Sequence, residues 1–275
     1  MIRTVAGRYE LTTLLGRGGQ GEVWWARDRS TDRGVALKWL SEHLAGHPTQ
    51  PARLLRETEI LRRLRHPAIV ELVDAGVEDA RAWLATELLA GGSAQRLVTQ
   101  RGRLRPARAV AIVRHVATGL SAAHAAGVIH RDVKPSNLLF DGHGQPRIAD
   151  FGCSLVADHP RLTRTDHVLG SLQYMAPEQR LDSHRVDLRA DVYGLGATLL
   201  YLLTGRPQRD PFTWPHRPDV LDGVDDRLAV VLGRALSHDP GDRWPDLGSF
   251  SEALAWAQDS VDPLLPSPDR DVLPA

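Results

Sequence analysis

The chemistry of this chain is concentrated in one octapeptide, His130-Arg131-Asp132-Val133-Lys134-Pro135-Ser136-Asn137. Between Asp132 and Asn137 it holds a carboxylate, an ammonium (Lys134) and a side-chain amide. Phosphoryl transfer uses such a set: a group that orients a hydroxyl, a cation for the phosphate in motion and an oxygen ligand for a metal. Pro135 opposes a continuing helix, so the three groups are expected on a loop. The other elements must then hold nucleotide, metal and substrate around that loop.

Composition narrows what kind of molecule this is. The 275 residues suffice for one large core or two smaller lobes. Hydrophobic residues make up 42% and charged residues 25%, as in globular soluble proteins and unlike disordered ones. The formal net charge of +0 argues against nucleic acid as a partner. Cys153 is the only cysteine, which excludes an intrachain disulfide framework and points to a reducing compartment. No apolar leader is visible. The most apolar run, residues 192–203, is too short to span a bilayer and carries two glycines. The expectation is a soluble, cytoplasmic protein with no membrane segment in this chain. Among 34 Lys and Arg residues, only Lys38 and Lys134 are lysine. Those two need a reason, because an ammonium is a compact point charge that the planar guanidinium does not reproduce.

Residues 8–15, 23–26 and 35–40 read as strands, with Gly16-Arg17-Gly18-Gly19-Gln20-Gly21 between the first two. A glycine-rich turn there lets backbone N–H groups approach an anion without Cβ interference. Alone it is a weak signal, and an ordinary hairpin turn would read the same way. Its place between two strands counts against a dinucleotide-binding fingerprint, which runs from strand to helix. Residues 51–65 form an amphipathic pattern with Leu54, Leu61 and Leu64 on one face. Glu57 lies beside that face, and Lys38 is its candidate partner; at a solvated helix edge Glu59 would be equally eligible.

Residues 69–72 and 82–89 read as further strands, and Ala90-Gly91-Gly92-Ser93 as a break between lobes. The pattern then turns helical: 106–126, 187–204, 226–237 and 247–257, with Pro106 opening the first and Gly127 and Gly205 closing the first two. Short strands are expected at 137–140 and 146–149, followed at once by Asp150-Phe151-Gly152. Residues 153–178 are polar and irregular, and 213–224 hold prolines that oppose a continuous helix. Residues 258–275 have no periodicity and read as a disordered tail or linker.

In this order the motifs resemble those of the protein kinase family: the glycine loop, Val35-Ala36-Leu37-Lys38, the helix with Glu57, His130-Arg131-Asp132, Asp150-Phe151-Gly152 and Ala176-Pro177-Glu178. The likeness runs over about residues 8–257. It implies an α+β, bilobal kinase-like fold. An antiparallel sheet with one main helix would occupy 8–89 and a mostly helical lobe 90–257. The resemblance implies that Gly16, Gly18 and Gly21 cover the ATP phosphates and that Val23, Ala36, Thr86, Glu87 and Leu88 belong to the nucleotide site, with Thr86 deep in the adenine pocket. Lys38 would hold the α- and β-phosphates and pair with Glu57. Asp132 would orient the hydroxyl, Lys134 would meet the moving phosphate, and Asn137 and Asp150 would hold Mg2+, with Mn2+ as a substitute. Leu61, Leu72, His130 and Phe151 would stack on Asp191. Glu178 would pair with Arg243, a buried pair whose breakage costs about 3–5 kcal/mol.

Both lysines fall on positions where the family uses lysine, a coincidence expected about once in five hundred random placements among the basic sites. The Asp132-Val133-Lys134-Pro135-Ser136-Asn137 form, with Gly170-Ser171, is similar to Ser/Thr kinases, and the details most resemble bacterial eukaryotic-like (Hanks-type) receptor kinases. That likeness implies protein substrates, autophosphorylation at Thr163 and Thr165, a homodimer during that step, and a phosphothreonine contact for Arg131. Residues 213–224 depart from the pattern by being short. The rival reading is a pseudokinase scaffold, whose usual mark is a missing lysine, aspartate or metal ligand; here Lys38, Glu57, Asp132, Asn137 and Asp150 are all in place. A small-molecule phosphotransferase is opposed by Ala176-Pro177-Glu178. His43 and His47 have helical spacing, but Gly46 and Pro48 break it, so they read as no metal site. Cys153 reads as a small packed residue.

Overall fold

The computed structural model describes residues 3–18, 21–40, 58, 61–79, 81–151, 173–181, 186–206, 221 and 224–259. Within them, six strands form one antiparallel sheet: β1 (Thr4–Val5), β2 (Tyr9–Gly18), β3 (Gly21–Asp28), β4 (Arg33–Leu40), β5 (Leu72–Glu78) and β6 (Arg81–Glu87), in the order β1-β2-β3-β4-β6-β5. Period-two alternation in β4 separates the two faces. Val35, Leu37 and Trp39 pack with Tyr9, Leu11, Ala26, Trp83 and Ala85 in a compact cluster. Arg3 and Arg81 lie over the Trp39 ring at 5.0 and 5.1 Å. Ala36 and Lys38 take the opposite face. Register sets Lys38 against Val23 and Leu84, and Ala36 against Thr86. Directly opposed residues share a face, so Val23, Ala36, Lys38 and Thr86 stand on one surface.

Asp28 braces the far edge of this sheet. Arg8 donates from Nε to Oδ1 at 2.8 Å and from Nη2 to Oδ2 at 2.7 Å, and reaches Asp74 at 3.2 Å. The guanidinium holds the Asp28 carboxyl well below the usual carboxylate range despite its burial.

The second half is built around α4 (Arg189–Thr204), in which every residue from Ala190 to Leu203 is buried. That helix is apolar all round because neighbours cover it on all sides. Before it come α1 (Ala94–Arg101), capped by Ser93, and α2 (Pro106–Ala125), with Pro106 at its first position. Strands β7 (Leu138–Phe140) and β8 (Pro146–Ile148) form a hairpin against α2. The short α3 (Pro177–Leu181) precedes α4; α5 (Asp226–Ala235), capped by Asp225, and α6 (Leu247–Asp259) close the chain's described part. Helix α2 packs against α4 and α6. Gly194 in α4 lies so close to the loop after Arg131 that a Cβ would sit 2.9 Å from the Val133 carbonyl oxygen.

The fold corrects two sequence-based boundaries. The strand expected at 69–72 begins where it was to end: only Ile69 bridges to Ile148, and β5 runs on from Leu72. It is an edge strand with a register shift between Leu72 and Asp74 and with Val73 and Val77 exposed, so its alternation is blurred. Strand β2 continues through Gly18 and β3 starts at Gly21, because the glycines extend the hairpin. Of the helix read at 51–65, residues 51–57 lie outside the described set; Thr58 and 61–63 are helical, with Thr58 and Leu61 buried. Residues 153–172, most of 213–224 and residues 260–275 lie outside it too.

Candidate active site

Asp191, in the first turn of α4, anchors the loop that carries Asp132. Its carboxylate accepts from the His130 N–H and the Arg131 N–H, each at 2.8 Å, and meets His124 Nε2 at 2.7 Å. Asp191 is fully buried. Burial alone pushes its carboxyl up, but His124 and the other hydrogen bonds pull it below the ordinary value, so it stays ionised. The anchoring leaves Arg131 in the left-handed region, at φ 66°. His130 Nε2 lies 2.9 Å from the Ala149 carbonyl, and its Nδ1 accepts from the Asp132 N–H at 3.2 Å. Those partners require the Nε2–H tautomer. His130 is therefore a packed bridge, set against Phe151 with ring centroids 4.5 Å apart and planes tilted by 58°. Leu61, Leu72 and Phe151 belong to the same buried core.

The three groups of the octapeptide converge. Asp132 and Lys134 lie on a loop, as Pro135 led one to expect, and a single 3-10 turn, Pro135–Asn137, follows. It brings Asn137 back so that Nδ2 donates to the Asp132 carbonyl at 2.8 Å and to its carboxylate at 3.2 Å. Lys134 Nζ sits 2.8 Å from the same carboxylate oxygen. Across from them, Lys38 Nζ lies 2.6 Å from both oxygens of Asp150. Burial pushes the Asp150 carboxyl up, yet the Lys38 ammonium, by its charge and its hydrogen bonds and with Lys134 adding to it, leaves the carboxyl below its ordinary value. Asp150 also adopts a left-handed backbone, φ 67°.

The glycines separate by cause. Gly21, at φ 131°, is required by the fold, since a Cβ would lie 1.8 Å from the Trp39 carbonyl oxygen. No described atom lies within 4 Å of a Cβ built on Gly16 or Gly18. Glycine there leaves room beside the backbone for something that is not part of the chain, as a phosphate would need. Thr86 reaches the Ala36 carbonyl at 3.4 Å. Glu87 ends β6, and its carboxylate accepts from Arg147 Nη1 at 2.8 Å and from the Glu71 N–H at 2.9 Å. Leu88 is the first residue beyond the sheet. Glu57, Thr163 and Thr165 lie outside the described residues.

A divalent ion fits what is present. Asp150 already attracts a cation with both oxygens, and Asn137, having turned Nδ2 to Asp132, keeps Oδ1 as its acceptor. Oxygen donors from a carboxylate and an amide suit a hard divalent cation such as Mg2+ better than a soft metal. Arg147 and Gln179 escaped the sequence reading. Gln179 follows Glu178, and its side chain donates to the Arg131 carbonyl at 2.7 Å. Nothing in the local pattern announces a contact across that distance in sequence. Glu178 makes the expected bidentate pair with the buried Arg243, both contacts at 2.7 Å.

Comparison with known proteins agrees with this geometry. The family described as "protein kinase domain" matches residues 9–226. The chain is 36% identical over 270 residues to the serine/threonine-protein kinase PknE of Mycobacterium tuberculosis, covering 94% of this chain and 48% of that protein. It is 42% identical over 267 residues to PknD of the same organism, covering 90% and 39%. The chain thus spans about half the length, or less, of these curated relatives. The crystal structure of the M. tuberculosis PknI kinase domain superposes with a TM-score of 0.75 at 34% identity, covering 93% of this chain and 98% of that one. Ordered motifs, bilobal fold and these matches lead to one conclusion: the chain belongs to the protein kinase family.

Proposed function

We propose that this chain transfers the γ-phosphate of ATP to serine and threonine hydroxyls of proteins. The convergence of Asp132, Lys134 and Asn137 opposite the Lys38–Asp150 pair is the observation that carries the reading. In it, Asp132 orients the acceptor hydroxyl and takes up its proton, with Lys134 beside the phosphate in flight. Lys38 holds the α- and β-phosphates, paired with Glu57 as the family resemblance implies, and Gly16, Gly18 and Gly21 keep the covering strands' backbone close to them. Val23, Ala36 and Thr86 flank the adenine, and Glu87 and Leu88 offer it backbone groups. Asn137 and Asp150 would hold Mg2+, or Mn2+ in its place, which supplies charge neutralisation on the phosphates when bound.

The printed names of PknE and PknD support serine and threonine as acceptors. The lobes divide at residues 89 and 90, where the sheet has just ended at Glu87 and the helices have not begun. Phosphorylation of Thr163 and Thr165, with two copies meeting for the transfer, is the proposed control. Use of ATP and the single Cys153 favour a cytoplasmic setting; no helix among the described residues is long and apolar enough to cross a membrane.

Incubation with labelled ATP and Mg2+ tests the reading. Wild type should label itself or a generic protein substrate, and Asp132→Asn and Lys38→Met should lose at least about a hundredfold in rate. Wild type without transfer activity would sink the proposal. Label on neither Thr163 nor Thr165 by mass spectrometry would sink the control step alone.

A further inference from the structure

The backbone on the two sides of Arg131 is held from three directions. The Arg131 N–H donates to Asp191 at 2.8 Å and the Asp132 N–H donates to His130 Nδ1 at 3.2 Å. Both partners lie in the motifs already described. The third hold is different: the Arg131 carbonyl accepts from Gln179 Nε2 at 2.7 Å, across 48 positions of sequence. A residue with a Cβ at φ 66° is disfavoured and persists only where its surroundings fix it.

Gln179 has a second bond. Its Oε1 accepts from the Ala176 N–H at 3.0 Å. The amide's orientation is set by its neighbours, since a carbonyl only accepts and a backbone N–H only donates. The Oε1 bond is the return arm of a capping box, in which the third helical residue satisfies the N–H at the cap; it serves α3 itself. The Nε2 bond serves nothing in α3. It reaches out of the helix to the residue immediately before Asp132.

We propose that Gln179 is a positioning residue for phosphoryl transfer: its amide fixes the Arg131–Asp132 peptide, hence the Asp132 carboxylate, and ties the 173–181 segment to the catalytic loop. The inference rests on the role given to Asp132 above. Release of the carbonyl lets this peptide rotate about its ends and carries the carboxylate away from the acceptor hydroxyl. Small displacements of a catalytic group cost rate more than binding.

Gln179→Glu separates the two bonds. It keeps the acceptor for Ala176, and glutamate is as good as glutamine in a capping box. At neutral pH it loses the donor and sets an anionic oxygen against the Arg131 carbonyl. The expected result, at pH about 8, is kcat reduced at least about tenfold, roughly 1.4 kcal/mol in barrier, with the KM for ATP and the thermal midpoint close to wild type.

A Gln179→Glu kcat within about threefold of wild type overturns the proposal, as does a deficit carried by the KM for ATP or by a lowered thermal midpoint rather than by kcat. Should that variant fail to fold, Gln179→Met removes both bonds without adding charge, and a kcat within about threefold of wild type overturns it equally. If wild type is inactive while still binding ATP, the assigned function falls first and the clamp with it; an active wild type, silenced by Asp132→Asn, confines failure to Gln179.

Discussion

Lys38 shows how one side chain can set the charge state of another. Asp150 is held low against the pull of its own burial, chiefly by that ammonium. A carboxyl whose folded pKa lies below its unfolded value, about 3.9, stabilises the fold above that pH, and the contribution fades as pH falls through the folded value. Removing the ammonium leaves burial as the dominant influence and reverses the sign. In Lys38→Met the Asp150 carboxyl should rise above its unfolded value, so the fold gains as pH drops rather than losing. Thermal midpoints measured from about pH 7 to about pH 4 should therefore decline less in Lys38→Met than in wild type. Equal declines would show that Asp150 is not governed by Lys38. That Asp132, Lys134 and Asn137 lie together was legible, because they fall within six positions of one motif; the contact of Lys38 with Asp150 was not, since the sequence offered Glu57 as its partner. Gln179 was not, since a glutamine in a helix's first turn reads as a cap and its second partner is visible only in three dimensions.

At the scale of elements, α4 is the platform on which the loop carrying Asp132 rests. Asp191 holds the loop by hydrogen bonds and Gly194, one turn on, holds it by having no side chain. Alanine at 194 would gain about 1 kcal/mol in helix propensity, yet its Cβ would meet the Val133 carbonyl at 2.9 Å. The loop has to move, and Asp132 is its neighbour. Gly194→Ala should lower kcat at least about tenfold while costing no more than about 2 kcal/mol in stability by denaturant unfolding. Wild-type kcat in that variant would mean that the loop yields without disturbing Asp132. Helix α2 was legible because proline, glycine and a 3.6-residue apolar period agree, and α4 because a continuous apolar run ends at Gly205. Strand β5 was misplaced because an exposed edge strand with a bulge offers no clean alternation. The 3-10 turn at Pro135–Asn137 was not legible within the expected loop, since proline at the first position permits a short 3-10 turn as well as it forbids a long helix.

At the scale of the whole molecule, several polar links between described residues join the sheet to the helical half. Lys38 to Asp150 crosses at the site. Behind it, Glu87 at the end of β6 meets Arg147 on β8, which also reaches Asp141 at 3.4 Å, and Val70 and Ala68 pair by backbone with Ile148. The Glu87–Arg147 pair lies next to the backbone proposed to contact adenine. Arg147→Met should raise the KM for ATP about three- to tenfold and leave kcat within about twofold. An unchanged KM would detach that pair from nucleotide binding.

The near absence of lysine has a practical corollary. Apart from its amino terminus, the chain offers an amine-directed reagent only Lys38 and Lys134, whose side chains are 12% and 14% exposed and each of which is engaged by a carboxylate. Acylation of this protein is therefore a two-site reporter. Each site names its own event: modification of Lys38 records opening of its pair with Asp150, modification of Lys134 records opening of its pair with Asp132, and protection of both by nucleotide reads occupancy without radioactivity or a substrate.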